Sequence, residues 1–116
     1  MVKKIKKPWG SETIWAKSKR IVGKTIKINK GHRLSLQYHE KKEEAIYVVN
    51  GKLTLVLKKS ATGNSEEITM SPGDSYYIKA GDIHRFEARN SDVMLVEVST
   101  PEINDVVRLE DDYKRK

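Results

Sequence analysis

Residues 31–51 read GHRLSLQYHEKKEEAIYVVNG, and this stretch brings three types of metal-binding side chain close together in sequence. Gln37 and His39 are two residues apart, so on a strand both side chains point to the same face. Glu44 leads the β-rich run that follows, and His84 comes later, two positions after residues 79–82. Because imidazole, carboxylate and amide oxygen together suit a borderline or hard divalent ion, we predict a metal site of Gln37, His39, Glu44 and His84.

Short β-rich runs with turn signals between them continue on both sides of this stretch. The runs are 21–28, 45–49, 53–57, 75–78 and 93–98, and the turn signals are at 29–32, 50–51, 60–65 and 71–74. Asn50-Gly51 predicts a type I′ hairpin between the runs 45–49 and 53–57, because both central residues of that turn need positive φ. No segment has a convincing helical pattern. We therefore predict an all-β sandwich or barrel that binds its ligand at one mouth.

The charge of the chain is uneven along its length. The 116 residues carry a net charge of +7, but the first thirty hold ten Lys/Arg and one acidic residue. Such a basic segment can bind an anionic partner or simply be solvated. Aromatic residues are not interleaved with these lysines as base stacking would require, so we expect no nucleic-acid partner. The absence of cysteine excludes disulfides, thiolate ligands and a cysteine nucleophile.

The sequence also gives an expectation about membranes and location. No apolar run approaches the roughly 20 residues that a membrane helix needs. The first ten residues are basic and lack the apolar region of a secretory signal. We therefore expect a cytoplasmic protein with no membrane partner.

The spacing of these residues resembles the two cupin motifs. In the first, Gly31 is followed after five residues by Gln37 and His39, then after four by Glu44, and after six more by a glycine. In the second, Gly73 is followed after five residues by Lys79-Ala80-Gly81, and after two more by His84. The resemblance implies an all-β, single-domain cupin, which is a jelly-roll barrel or double-stranded β-helix. We expect the cupin domain to span 1–116, with a basic N-terminal arm at 1–20, the barrel at 21–100 and a tail at 101–116.

A closer resemblance, to the C-terminal isomerase domain of type II mannose-6-phosphate isomerase / mannose-1-phosphate guanylyltransferase proteins, covers nearly the whole chain. It rests on the segments 7–10 (KPWG), 33–39 (RLSLQYH) and 107–113 (VRLEDDY). In this branch a glutamine occupies the first ligand position, so Gln37 is expected. The resemblance implies interconversion of mannose 6-phosphate and fructose 6-phosphate with a divalent metal, zinc first and Mn²⁺, Fe²⁺, Co²⁺ or Ni²⁺ as alternatives. The chain departs from the family at Lys42, Ile46 and Thr25, where the family commonly has Arg, Trp and Arg.

Two cationic residues are candidates for the phosphate of a sugar-phosphate substrate. We expect Lys24 and Arg108 to hold it, while the sequence does not identify the general base. The departures at Thr25 and Ile46 leave open a non-catalytic sugar- or sugar-phosphate-binding cupin. Another metal-dependent cupin enzyme, such as an iron oxygenase or an epimerase-like enzyme, is a further alternative. We also expect a homodimer that pairs through the N-terminal strand.

Overall fold

The computed structural model describes residues 2–115, and these form eleven strands and no helix. The strands are β1 (Lys3–Lys7), β2 (Gly10–Lys17), β3 (Val22–Ile28), β4 (Leu36–Tyr38), β5 (Glu44–Asn50), β6 (Leu53–Lys58), β7 (Ser65–Met70), β8 (Ser75–Ile78), β9 (Ile83–Glu87), β10 (Val93–Ser99) and β11 (Val107–Glu110). All five predicted β-rich runs are strands. None of the described residues belongs to a helix that could span a membrane.

The strands form two antiparallel sheets that enclose one core. The six-stranded sheet has the order β1-β2-β3-β10-β5-β8, and the five-stranded sheet has the order β11-β4-β9-β6-β7. Alternate residues of both sheets point inward, as strand geometry requires. Ile26, Ile46 and Leu95 from the first sheet meet Leu55 and Phe86 from the second in a single buried cluster. The predicted all-β jelly-roll architecture is confirmed.

The predicted Asn50-Gly51 hairpin is wrong. β5 pairs with β10 and β8, whereas β6 pairs with β7 and β9, so the Asn50-Gly51 turn carries the chain from one sheet to the other. Gly51 has φ of 78°, but Asn50 does not have the positive φ of a type I′ turn. A Cβ at position 51 would also collide with the backbone carbonyl of Asp92. Glycine is needed here for a close backbone approach between two sheets, which local turn chemistry cannot distinguish from a hairpin.

Strands occupy parts of the segments predicted as an arm at 1–20 and a tail at 101–116. β1 and β2 pair as a hairpin, and β2 continues the sheet onto β3. β11 pairs with β4 at the edge of the other sheet. Lysines hide this pattern in the sequence, because Lys3, Lys4 and Lys6 of β1 are exposed while Ile5 is half-buried. An edge strand exposes one face and one edge to water and therefore tolerates such a composition.

Candidate metal centre and cavity

His39, Glu44 and His84 form a compact buried cluster. Glu44 Oε1 lies 3.1 Å from His39 Nε2 and 3.2 Å from His84 Nε2, and the three side chains have ligand atoms within 4.8 Å of one another. The residues are 3%, 3% and 1% exposed. His39 follows β4, Glu44 begins β5 and His84 lies in β9, so both sheets contribute. The structure thus brings together three of the four residues that the sequence predicts as ligands.

The two imidazole rings are oriented by backbone carbonyls. His39 Nδ1 donates to the Asp105 carbonyl at 2.6 Å, and His84 Nδ1 donates to the Asp82 carbonyl at 2.9 Å. In a neutral ring that donates through Nδ1, Nε2 carries the lone pair. Both lone pairs therefore face the Glu44 carboxylate, and His84 Nε2 is buried without a hydrogen-bond partner among residues 2–115. The two Nε2 lone pairs and the carboxylate oxygen point towards one another. A divalent cation placed between them would be bound by all three atoms.

Gln37 lies next to this cluster in the five-stranded sheet. It pairs across the strands with His84 on one side and Arg108 on the other, so the three side chains share a face. The Ser35 hydroxyl donates to Gln37 Oε1 at 2.6 Å. Gln37 lines the same cavity as His39 and Glu44. Its role as the fourth ligand remains a prediction.

A row of alternating charges extends from the cluster across the inner face of the six-stranded sheet. Lys42 Nζ lies 3.7 Å from Glu44 and 3.5 Å from Glu97. Lys24 Nζ lies 3.6 Å from the same Glu97 and 3.5 Å from Glu12. Lys24, Lys42, Glu44 and Glu97 are buried. Each of these two buried lysines therefore lies beside two carboxyl groups of the protein itself, which take the place of water around the ammonium group.

The two inner carboxyl groups of this row are held in different states. Burial raises the pKa of Glu97 to about 8, and the nearby charge of Glu44 adds to that effect. Burial also disfavours the charge of Glu44, but the hydrogen bond from Glu97 and the positive charge of Lys42 hold the pKa of Glu44 well below its usual value. Glu44 is therefore the ionised member of the pair, which is the state that a metal ligand needs.

The cavity in front of this row has a volume of about 100 Å³ and an electropositive wall. Its cationic residues among those described are Lys7, Lys24, Lys42, Arg108 and Arg115, and its carboxyl residues are Glu12, Glu44 and Glu97. Both residues predicted to hold phosphate, Lys24 and Arg108, lie in the wall. Their binding roles remain predictions, and Lys24 is paired with two carboxyl groups.

Sequence reasoning missed Glu97, whose position could have been found. On β10 it lies two residues after the inward-facing Leu95 and four after Val93, so strand periodicity places it on the same inner face. It also missed Glu12, Lys7 and Arg115, which lie in segments described as an arm and a tail.

Comparisons with known proteins agree with this fold. A family model described as mannose-6-phosphate isomerase C-terminal matches residues 1–111. The xanthan biosynthesis protein XanB of Xanthomonas campestris pv. campestris is 30% identical over 117 residues, which is 97% of this chain and 24% of XanB. The chain thus spans about a quarter of the length of the curated relatives that it matches.

Three solved protein structures are similar to this chain along most of its length. The capsular polysaccharide assembling protein CapF of Staphylococcus aureus has a TM-score of 0.84 at 20% identity and covers 95% of this chain and 32% of its own. KdgF from Halomonas sp. has a TM-score of 0.73 at 20% identity, covering 88% and 86%. Oxalate decarboxylase from Bacillus subtilis has a TM-score of 0.79 at 16% identity, covering 93% and 30%. These likenesses confirm the cupin fold.

Proposed function

This chain belongs to the mannose-6-phosphate isomerase C-terminal family, and from that premise we propose that it is a metal-dependent sugar-phosphate isomerase acting on mannose 6-phosphate and fructose 6-phosphate. The observation that carries the proposal is the buried group of His39, Glu44 and His84 beside an electropositive cavity. The group is suited to a divalent cation, and the cavity wall is suited to an anionic substrate. Xanthan biosynthesis, which the name of the relative XanB states, is compatible with sugar-phosphate chemistry.

The metal would be held by His39, Glu44 and His84, with Gln37 as the fourth ligand. The two Nδ1 hydrogen bonds and the Ser35 hydroxyl would orient three of these side chains. A bound divalent metal supplies a Lewis acid that polarises the hydroxyl and carbonyl oxygens of the sugar. Zinc fits this donor set, and Mn²⁺, Fe²⁺, Co²⁺ or Ni²⁺ would fit it as well.

The isomerisation also needs a base that moves a proton between two neighbouring carbons of the sugar. Glu97 is hydrogen-bonded to the ligand Glu44. Glu12 lies in the cavity wall, and its ion-pair partner is Lys24 at 3.5 Å. A carboxylate of the wall that lies outside the ligand set can exchange a proton with the substrate without disturbing the metal. We therefore assign the base to Glu12.

The alternative of a non-catalytic sugar binder depends on the departures at Thr25 and Ile46, and neither residue lines the cavity. Thr25 lies on the outer face of β3, where its hydroxyl accepts a hydrogen bond from Trp15 at 3.1 Å. Ile46 is buried in the hydrophobic core and is not part of the cavity wall. Lys42, the third departure, keeps a positive charge in the wall. The substitutions at 25 and 46 therefore change the outer surface and the core, not the cavity.

The proposal is tested by a coupled assay for conversion of mannose 6-phosphate to fructose 6-phosphate. Purified protein is assayed after chelation and after each divalent metal is added back. We expect turnover that disappears with the chelator and returns with metal, and an Arg108→Ala variant that retains metal but loses turnover. A protein shown to bind metal that gives no turnover with any metal would reject the isomerase in favour of a binder. Unchanged turnover in Arg108→Ala would reject the role given to Arg108.

A further inference from the structure

Two of the lysines in the cavity wall are already paired with carboxyl groups of the protein. Lys24 and Lys42 each lie between two carboxyl groups at 3.5 to 3.7 Å. A phosphate that approached either lysine would compete with these groups. The charge available to an incoming anion is therefore on other residues of the wall.

Lys7 is the first of these residues. It ends β1, and it is half-buried although Lys3, Lys4 and Lys6 of the same strand are exposed. It lines the cavity and forms no ion pair with any of the residues from 2 to 115. An ammonium that is partly withdrawn from water and faces a cavity without a protein carboxylate is suited to a ligand anion.

Arg115 is the second, and it reaches the cavity from the chain segment after β11. Its Nε and Nη2 donate to the Asp111 carboxylate at 2.7 and 3.1 Å, and its guanidinium lies over the Tyr113 ring at 5.7 Å. The side chain is 23% exposed. Because a guanidinium carries five N–H donors and Asp111 takes two, Arg115 retains donors for a bidentate contact with a phosphate.

The segment that carries Arg115 is fixed to the body of the protein by polar contacts. Arg33 donates to both carboxylate oxygens of Asp112 at 2.7 and 2.8 Å. The Tyr113 hydroxyl lies 2.6 Å from His32 Nδ1. These contacts fix Asp112 and Tyr113, and the Arg115 N–H donates to Asp111 at 2.8 Å, so Arg115 is positioned before a ligand arrives. Such preorganisation lowers the entropic cost of binding.

We propose that Lys7 and Arg115, together with Arg108, form a phosphate-binding subsite at the cavity and that this subsite receives the phosphate of the substrate. Lys7 comes from the edge strand of one sheet, Arg108 comes from the edge strand of the other, and Arg115 comes from the segment that follows that second strand. The subsite therefore spans the opening between the two sheets. The identity of the sugar that carries the phosphate rests on the proposed function. The recognition of a phosphate monoester rests on these cations alone.

The test is calorimetric titration of the metal-loaded protein with mannose 6-phosphate, inorganic phosphate and mannose. Since a charge-assisted hydrogen bond contributes about 1.5–3 kcal/mol, Lys7→Gln and Arg115→Gln should each weaken mannose 6-phosphate binding by about tenfold to hundredfold. The affinity of both variants for inorganic phosphate should fall as well, whereas their affinity for the metal should not change. Lys6→Gln and Arg89→Gln are matched controls, because both residues are exposed and neither lines the cavity.

Each outcome decides the subsite separately from the isomerase. Variants at Lys7 and Arg115 that bind both phosphate compounds as tightly as the wild type would overturn it, as would a wild type that binds neither compound. A wild type that binds phosphate compounds through these residues but has no turnover would support the subsite and reject the isomerase. Arg115→Gln also removes a partner of Asp111, so thermal melting checks its folding, and Lys7→Gln at the sheet edge carries the test if Arg115→Gln is unfolded.

Discussion

Replacement of Glu44 by glutamine removes one ligand oxygen and one negative charge while it preserves the shape of the side chain. In the wild type, a metal present at 100 times its dissociation constant should stabilise the folded state by about 2.7 kcal/mol. At about 2.1 cal/mol/K per residue, the unfolding entropy of the 116-residue chain is about 0.24 kcal/mol/K. The metal should therefore raise the melting temperature by about 11 °C.

The Glu44→Gln variant should lose most of this stabilisation. Loss of an outer-shell partner alone costs about 10- to 100-fold in metal affinity, and loss of the ligand itself should cost at least the upper value. At the same metal concentration the rise in melting temperature should then be about 2 °C or less.

The assay is differential scanning calorimetry of each variant with and without metal, so that a change in metal-free stability cancels. Glu43→Gln is the matched control, because this neighbouring carboxylate is exposed and bonded to the Tyr77 hydroxyl at 2.7 Å. A full metal-induced rise in Glu44→Gln, or its loss in Glu43→Gln instead, would refute the assigned ligand set.

Three further predictions follow from the described contacts. Ser35→Ala, which removes the donor to the Gln37 amide oxygen, should lower metal affinity by about 10- to 100-fold in a competition titration; unchanged affinity would count against Gln37 as a ligand. Gly51→Ala should lower the free energy of unfolding in urea by more than about 1 kcal/mol, because φ is 78° and a carbonyl blocks the Cβ; a neutral effect would contradict the tight turn. Burial opposes the charge of Asp111, but hydrogen bonds from Arg115 hold its pKa at about 2, so its stabilisation is present above the usual value of 3.8 and is lost as the pH falls towards 2. Acid titrations of stability should show this loss in the wild type and not in Asp111→Asn, and identical acid profiles would reject the contribution.

The parts of the fold and site that the sequence predicts are those encoded by local periodicity and motif spacing. The metal-binding types of side chain come together because His39 follows one strand, Glu44 begins the next and His84 lies on a strand in register with Gln37. Gly31, Gly51 and Gly73, which lie in the predicted turn segments 29–32, 50–51 and 71–74, all have positive φ. The spacing of ligand residues and turn glycines along the chain can be read directly from the sequence.

The features that the sequence does not predict depend on distant partners. Asn50-Gly51 has the composition of a hairpin turn, but its strands pair with others that arrive later in the chain. The sequence analysis does not predict a role for Glu97, which is buried beside Lys24 at 3.6 Å and Lys42 at 3.5 Å, two lysines from other parts of the chain. Neither the sheet partner of a strand nor the compensation of a buried charge is visible from neighbouring residues.

We propose that this chain binds a catalytic divalent metal at the cluster of His39, Glu44 and His84. The most direct measurement is an anomalous difference map from crystals of the metal-loaded, active protein, collected at the absorption edge of the metal. We expect an anomalous difference peak about 2.0–2.2 Å from Nε2 of each histidine and from a carboxylate oxygen of Glu44. A metal-free cluster in crystals of protein that is active with that metal, or a peak elsewhere, would contradict it.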